Sequence, residues 1–150
     1  MYTINNGAVT ITGYFAAAGE VIIPSTIDGY PVTAIGPNAF PYCTDATSVT
    51  IPDSVTSIGD DAFQYCSGLT NVVIGNGVTN LGPYAFLACS SLRNVVLGHS
   101  ISSISYGAFA ACSSLTSVTI PDSVTSIGTQ AFQACSGITN LVLGLSLIHI

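Results

Sequence analysis

The chain reads as a repeat solenoid of short stacked parallel strands, and three observations predict this. Cys43, Cys66, Cys89, Cys112 and Cys135 follow one another at intervals of 23 residues. Phe40, Phe63, Phe86, Phe109 and Phe132 keep the same interval, each preceded by an alanine. Between these marks recur a β-branched V-x-x-I-G stretch and an alternating L-x-x-V-x-I stretch. A unit of 23 residues cannot bury its apolar face alone, so it must stack on its neighbours. Such a fold offers a long repetitive surface in place of a single enclosed cleft.

Residues 1–31 read as an N-terminal cap. The run YTI-NNG-AVTITGY is a hairpin, two alternating stretches around an Asn-Gly turn. The segment EVIIP then resembles the strand-and-stop of a unit, and the spacing to Val32 gives this edge unit five extra residues. Terminal units are expected to be atypical, because they shield the open end of the core.

Residues 32–144 divide into five units that begin at Val32, Val55, Val78, Ile101 and Val124. V-x-x-I-G is short and β-branched and predicts an extended wall. In x-x-A-F-x-x-C, the Ala, Phe and Cys spacing predicts one short helical turn per unit with all three on its inner face. Pro37 and Pro41 forbid a longer helix in the first unit. L-x-x-V-x-I predicts a half-buried strand. In the second unit Leu69, Val72 and Ile74 face inward, while Asn71 and Val73 face outward. Pro52, Gly75 and Pro121 end these strands, since proline cannot donate to a ladder and glycine turns freely.

Residues 145–150, LSLIHI, have two readings. They match the translation of a transposon end used in sequencing libraries, which makes them a non-native tail. Alternatively they begin a truncated sixth unit, with Leu147 and Ile150 where Val124 and Ile127 would recur.

Apolar residues form 49% of the chain and charged residues 5%, which excludes a disordered or coiled-coil chain. No apolar run approaches the ~20 residues that span a bilayer, so membrane insertion by this segment is not expected. The first residues lack the basic-then-apolar pattern of a signal peptide. Net charge is −6, and Arg93 is the only lysine or arginine. Nucleic-acid binding needs clustered cations and is excluded on that ground. One cysteine per coil places successive sulfurs ~4.8 Å apart and pointing alike, which suits a buried thiol ladder. Disulfides and metal ligation are the other readings of these residues.

No constellation here has the makings of a catalytic site, and no cofactor is expected. His99 stands in a turn at the place that Asp53 and Asp122 hold in other units. Asp60 and Asp61 sit at the start of the expected helical turn, where the dipole favours acid and water solvates it. Asp53 and Asp122 are three units apart, ~14 Å by strand spacing, too far to cooperate.

Taken together, L-x-x-V-x-I-P-x-x-V-x-x-I-G-x-x-A-F-x-x-C resembles the BspA-type (Treponema pallidum-like) leucine-rich repeat. The likeness covers residues 32–144, and TITGYFAAAGEVIIPSTIDGYPVTAIG looks like the family's usual N-terminal lead-in. Two departures, Ser105 for Gly and Ala46 for Leu, are expected to loosen packing locally. The resemblance implies a leucine-rich-repeat solenoid in a curved right-handed coil. It also implies a non-enzymatic binding role on large surface or secreted proteins of bacteria, associated with adhesion and protein–protein contacts.

A partner, protein or glycan, is expected on the outer face of the strand sheet, which presents three columns. They are Thr47, Thr70, Arg93, Thr116 and Thr139; Ser48, Asn71, Asn94, Ser117 and Asn140; and Thr50, Val73, Val96, Thr119 and Val142. Hydroxyls and amides adapt their hydrogen bonds, and arginine is favoured at interface hot spots. The competing reading makes these residues strand-favouring and solubilising only. At the level of the protein, the alternative is a stalk or accessory module that projects another domain.

Overall fold

In a computed structural model, residues 1–14 and 18–147 are described; positions 15–17 and 148–150, where the expected recurrence at Ile150 falls, lie outside them. The chain opens on a hairpin, β1 (Tyr2–Asn5) against β2 (Ala8–Ile11), paired antiparallel. Asn6 and Gly7 take φ of 50° and 75° at its turn, the left-handed pair that a two-residue hairpin with native twist requires. After β3 (Gly19–Ile22), a second hairpin joins β4 (Thr26–Ile27) to β5 (Tyr30–Ile35) through Asp28 and Gly29. The extra residues of the edge unit are thus an ornament with its own Asp-Gly turn.

The remaining strands alternate between two walls. Longer strands are β6 (Ala46–Ile51), β8 (Asn71–Ile74), β10 (Asn94–Val96), β12 (Ser117–Thr119) and β14 (Asn140–Val142). Two-residue strands are β7 (Ser57–Ile58), β9 (Asn80–Leu81), β11 (Ser103–Ile104) and β13 (Ser126–Ile127). One sheet runs β1-β2-β5-β7-β9-β11-β13, and all its pairs after the first hairpin are parallel, apart from β4 on β5. On the other wall β10-β8-β6-β3 form one parallel sheet and β12-β14 another. Partners lie one repeat apart, as Ser57↔Asn80 and Val72↔Val95 show.

The third wall corrects the sequence expectation of a helical turn. Among the described residues, x-x-A-F-x-x-C contains no helix. Left-handed residues interrupt it twice per unit, at Asn38 and Tyr42, Asp61 and Tyr65, Tyr84 and Ala88, Gly107 and Ala111, and Gln130 and Ala134. A non-glycine residue held there costs ~1–2 kcal/mol. The compensation is a third ladder between coils. Asn38, Phe40 and Tyr42 give their amides to the carbonyls of Asp60, Ala62 and Gln64 at 2.9, 2.7 and 2.8 Å. A helix would keep these amides within the unit, where they could not join one coil to the next.

Inside, the rings form a continuous column from Tyr14 through Phe40, Phe63, Phe86 and Phe109 to Phe132, with centroids 4.8–5.5 Å apart. Leu69, Leu92 and Leu115 are fully buried beside it. The alternation expected in the second unit holds, with Val72 and Ile74 buried and Asn71 and Val73 partly exposed.

The cysteines line a corner of the core as thiols. Beyond packing, each one from Cys66 onward donates its S–H to the carbonyl of a phenylalanine 26 residues earlier. The distances are 3.0 Å for Cys66 to Phe40, 3.2 Å for Cys89 to Phe63, 3.2 Å for Cys112 to Phe86 and 3.0 Å for Cys135 to Phe109. The Phe63, Phe86 and Phe109 carbonyls otherwise accept only long bonds from the Cys66, Cys89 and Cys112 amides, at 3.4, 3.5 and 3.4 Å, so the thiol adds a second, closer donor that valine could not supply. The adjoining Cys112 and Cys66 thiols, together with burial, hold the Cys89 thiol well above its usual range. Only Cys135, in the last unit, is partly exposed. A disulfide-exchange reagent should therefore titrate Cys135 ahead of the four buried thiols in native protein, though slowly because the Cys112 thiol and burial raise it, and all five in denaturant. Rapid native reaction of Cys66 or Cys89 would contradict the ladder.

Candidate interaction face

The three columns expected on the strand wall are exposed or partly exposed along their whole length, and the backbone ladder sets their spacing. In the first column the threonine hydroxyls from Thr70 onward turn to the carbonyl one coil earlier. Thr70 donates to Thr47 at 2.9 Å, Thr116 to Arg93 at 3.5 Å and Thr139 to Thr116 at 3.4 Å. In the second, Asn94 gives its amide to the Asn71 side-chain oxygen at 2.7 Å. These side chains therefore stitch coils together while leaving acceptor lone pairs toward solvent. Arg93, exposed midway along the face, has no ion-pair partner among the described residues. Thr47, Ser48, Thr50, Ser117, Thr119, Asn140, Val73, Val96 and Val142 complete the face around it.

The turn that follows the strand holds a further column, and the structure assigns it a role the sequence reading missed. Asp53 accepts the Asn76 amide at 2.6 Å, Asn76 accepts that of His99 at 3.1 Å, and Asp122 accepts that of Leu145 at 2.8 Å. Asp53 and Asp122 are thus backbone clasps. Asp61 is pushed up by burial and by neighbouring Asp60, and both lie on the turn wall, away from the strand face. Among the described residues no cluster of His, Cys, Asp and Glu could hold a metal ion. No helix among them is long and apolar enough to cross a membrane.

Exposed aromatic side chains also went unforeseen. Tyr42 and Tyr65 stack on the turn wall at 5.1 Å and are 63% and 41% exposed. Their shared place just before cysteine was the available signal. It was masked because the expected helical turn gave no reason for that position to face water.

Stacked coils with a core shared between neighbours and an open, regular outer face define the class of repeat scaffolds. Within it, the chain belongs to the BspA type leucine-rich repeat family, whose model matches residues 20–150 in six copies. The repeats of this family make a protein-interaction scaffold. The chain is similar to the leucine-rich repeat protein of T. pallidum, at 33% identity and a TM-score of 0.90, over 94% of this chain and 67% of that one. It is also similar to a leucine-rich cell surface protein of Faecalibacterium prausnitzii, at 34% identity and a TM-score of 0.86. That likeness covers 97% of this chain and 41% of the other. A repeat protein of Eubacterium ventriosum shares the fold, with 24% identity and a TM-score of 0.84 over 97% of this chain and 40% of its own. The chain thus spans between two fifths and two thirds of the length of these relatives. No curated protein matches it.

Proposed function

We propose that the chain is a non-enzymatic binding scaffold that presents its strand face to a protein partner, within a longer bacterial surface or secreted protein. The observation that carries this reading is Arg93, the sole Lys or Arg of the chain, standing unpaired midway along an exposed face of hydroxyls, amides and valines. Desolvating an arginine that has no internal partner disrupts nothing in the fold, and arginine is over-represented among residues that anchor interfaces. The cell-surface description of the F. prausnitzii protein supports the placement.

Beads bearing the chain should be retained on bacterial or epithelial cell surfaces, and protease treatment of those surfaces should abolish retention. Loss after glycosidase treatment alone would assign the partner to glycans. Replacing Arg93, Asn71 and Asn94 together with alanine should weaken retention at least tenfold, about 1.4 kcal/mol at 25 °C. Unchanged retention would sink the face.

A structural stalk is the second reading, favoured by the threonine and asparagine side chains that spend their donors between coils. Absence of retention for both wild type and variant would support the stalk.

A further inference from the structure

Units three and four are joined less completely than any other pair. On the turn wall the junction is intact, for Phe86 and Ala88 give their amides to Ala108 and Ala110 at 2.8 Å each. On the short-strand wall β9 and β11 still pair. On the strand face the ladder stops: β10 pairs with β8 and β12 with β14, but among the described residues no pairing joins β10 to β12. Elsewhere on this face Thr70, Arg93 and Thr139 donate backbone amides to the preceding coil at 2.8–3.0 Å, whereas Thr116 offers only a long hydroxyl contact.

Three departures coincide with this junction, although Pro52 holds the place of Pro121 in a coil whose ladder is intact and Ser105 follows β11 on the opposite wall. Pro121 has no N–H to give to the coil beneath it. His99 replaces the Asp or Asn that clasps the next coil at Asp53, Asn76 and Asp122, and no such bond joins it to Asp122. Ser105 replaces the corner glycine. Gly59, Gly82 and Gly128 each donate to the preceding coil at 2.7–2.8 Å, and Ser105 makes no equivalent bond.

Between β10 and β12 lies a cleft of about 320 Å³, lined by residues that include Asn94, Val96, His99, Ser117, Thr119 and Pro121. It is the volume of about ten liquid waters at ~30 Å³ each. That suits one large side chain and falls at the bottom of the ~300–1,000 Å³ range for small-ligand sites. Arg93 and His99 belong to the unit that forms one wall, and no acidic residue occurs in the three face columns. Asp122 follows Pro121 at the edge of the cleft and is engaged by the Leu145 amide at 2.8 Å; Arg93 and His99 on the other wall are what favour an acidic partner.

We propose that the cleft between β10 and β12 is the anchoring pocket of the strand face, taking one aromatic or large aliphatic side chain from an acidic segment of a protein partner. This rests on the strand-face reading and goes further by naming the anchor point and the chemistry it takes. The valines and Pro121 supply the apolar contact. Asn94, Ser117 and Thr119 supply hydrogen bonds, and Arg93 with His99 complements the flanking acids.

The test titrates 15N-labelled protein with the peptide Ac-Asp-Phe-Asp-NH2 and follows amide shifts. Shifts should concentrate at Asn94–Leu97 and Ser117–Ile120. Ac-Asp-Ala-Asp-NH2 and Ac-Lys-Phe-Lys-NH2 should bind at least tenfold more weakly. Filling the cleft with Thr119→Phe should abolish the shifts, whereas Thr50→Phe, in the same column two coils away from the cleft, should not. Independently, native amide exchange should be faster in β10 and β12 than in β8. No shift at millimolar peptide, shifts spread evenly along the face, or equal binding of the alanine peptide would overturn the pocket. Those failures leave retention and its loss in the Arg93/Asn71/Asn94 variant intact, so the two readings are told apart.

Discussion

Replacing Phe86 with alanine should lower the stability of the chain by about 3–5 kcal/mol, the cost of emptying an aromatic site in a close-packed core. Phe86 is fully buried and stacks on Phe63 at 5.0 Å and on Phe109 at 5.3 Å. Its loss therefore leaves two ring faces without a neighbour as well as a void. In a solenoid, stability is nearly a sum over units and the interfaces between them, so a defect in the middle weakens both flanking junctions at once. Phe132→Ala, at the partly exposed end of the column, should cost clearly less. Urea denaturation followed by circular dichroism reads the difference as a shift in midpoint. Equal losses at the two positions would mean that the ring column does not carry stability from coil to coil.

The second large effect is expected at a corner. A Cβ at Gly82 would meet the Gly59 carbonyl carbon at 2.6 Å and the Asp60 amide nitrogen at 2.7 Å. Both are backbone atoms of the coil beneath, held by their own ladder, so neither can turn aside as a side chain would. Gly82→Val should cost the upper part of the ~1–3 kcal/mol typical of overpacking, or more, because its branched carbon sits against fixed backbone. Gly82→Ser brings the same Cβ overlap without the second branch, so it should cost less than valine but more than the about 1 kcal/mol of one lost hydrogen bond. Ser105 already shows this exchange: the coil continues without the amide bond that glycine makes at this corner. Denaturation midpoints of the two variants should separate in that order, and a valine as benign as serine would refute the close stacking of the corners.

Several features were legible because they depend on neighbours along the chain or on the period. The alternation of Leu69, Val72 and Ile74 chose the inward face of the strand, since strand side chains alternate whatever lies beyond. Asn6-Gly7 marked a hairpin by its left-handed turn preference. Asp28-Gly29 carried a similar signal, but the next connection reads only as five extra residues. The face columns followed from the period once the strand was placed.

The turn wall was not legible. Ala, Phe and Cys at helical spacing suit one face of a helix, and Tyr42, Tyr65 and Ala88 have no intrinsic preference for the left-handed region they occupy. What holds them there is an amide hydrogen bond to the carbonyl of a residue 22 positions later, as from Tyr42 to Gln64. Propensity cannot register a partner so far along the chain. The cleft shows the same limit in a milder form. Pro121, His99 and Ser105 are visible as departures, but that all three fall at one junction emerges only when the coils are stacked.

By itself, then, the sequence determined the period, the inward residues of the strands, the continuous aromatic column and the family, because identical units must bury identical faces against one another. Only the tertiary structure decided that the third wall is a ladder of left-handed turns, that the thiols cap phenylalanine carbonyls, and that the strand face opens between the third and fourth units. Those outcomes rest on hydrogen bonds between coils, and the geometry of such bonds exists only once one coil lies on the next.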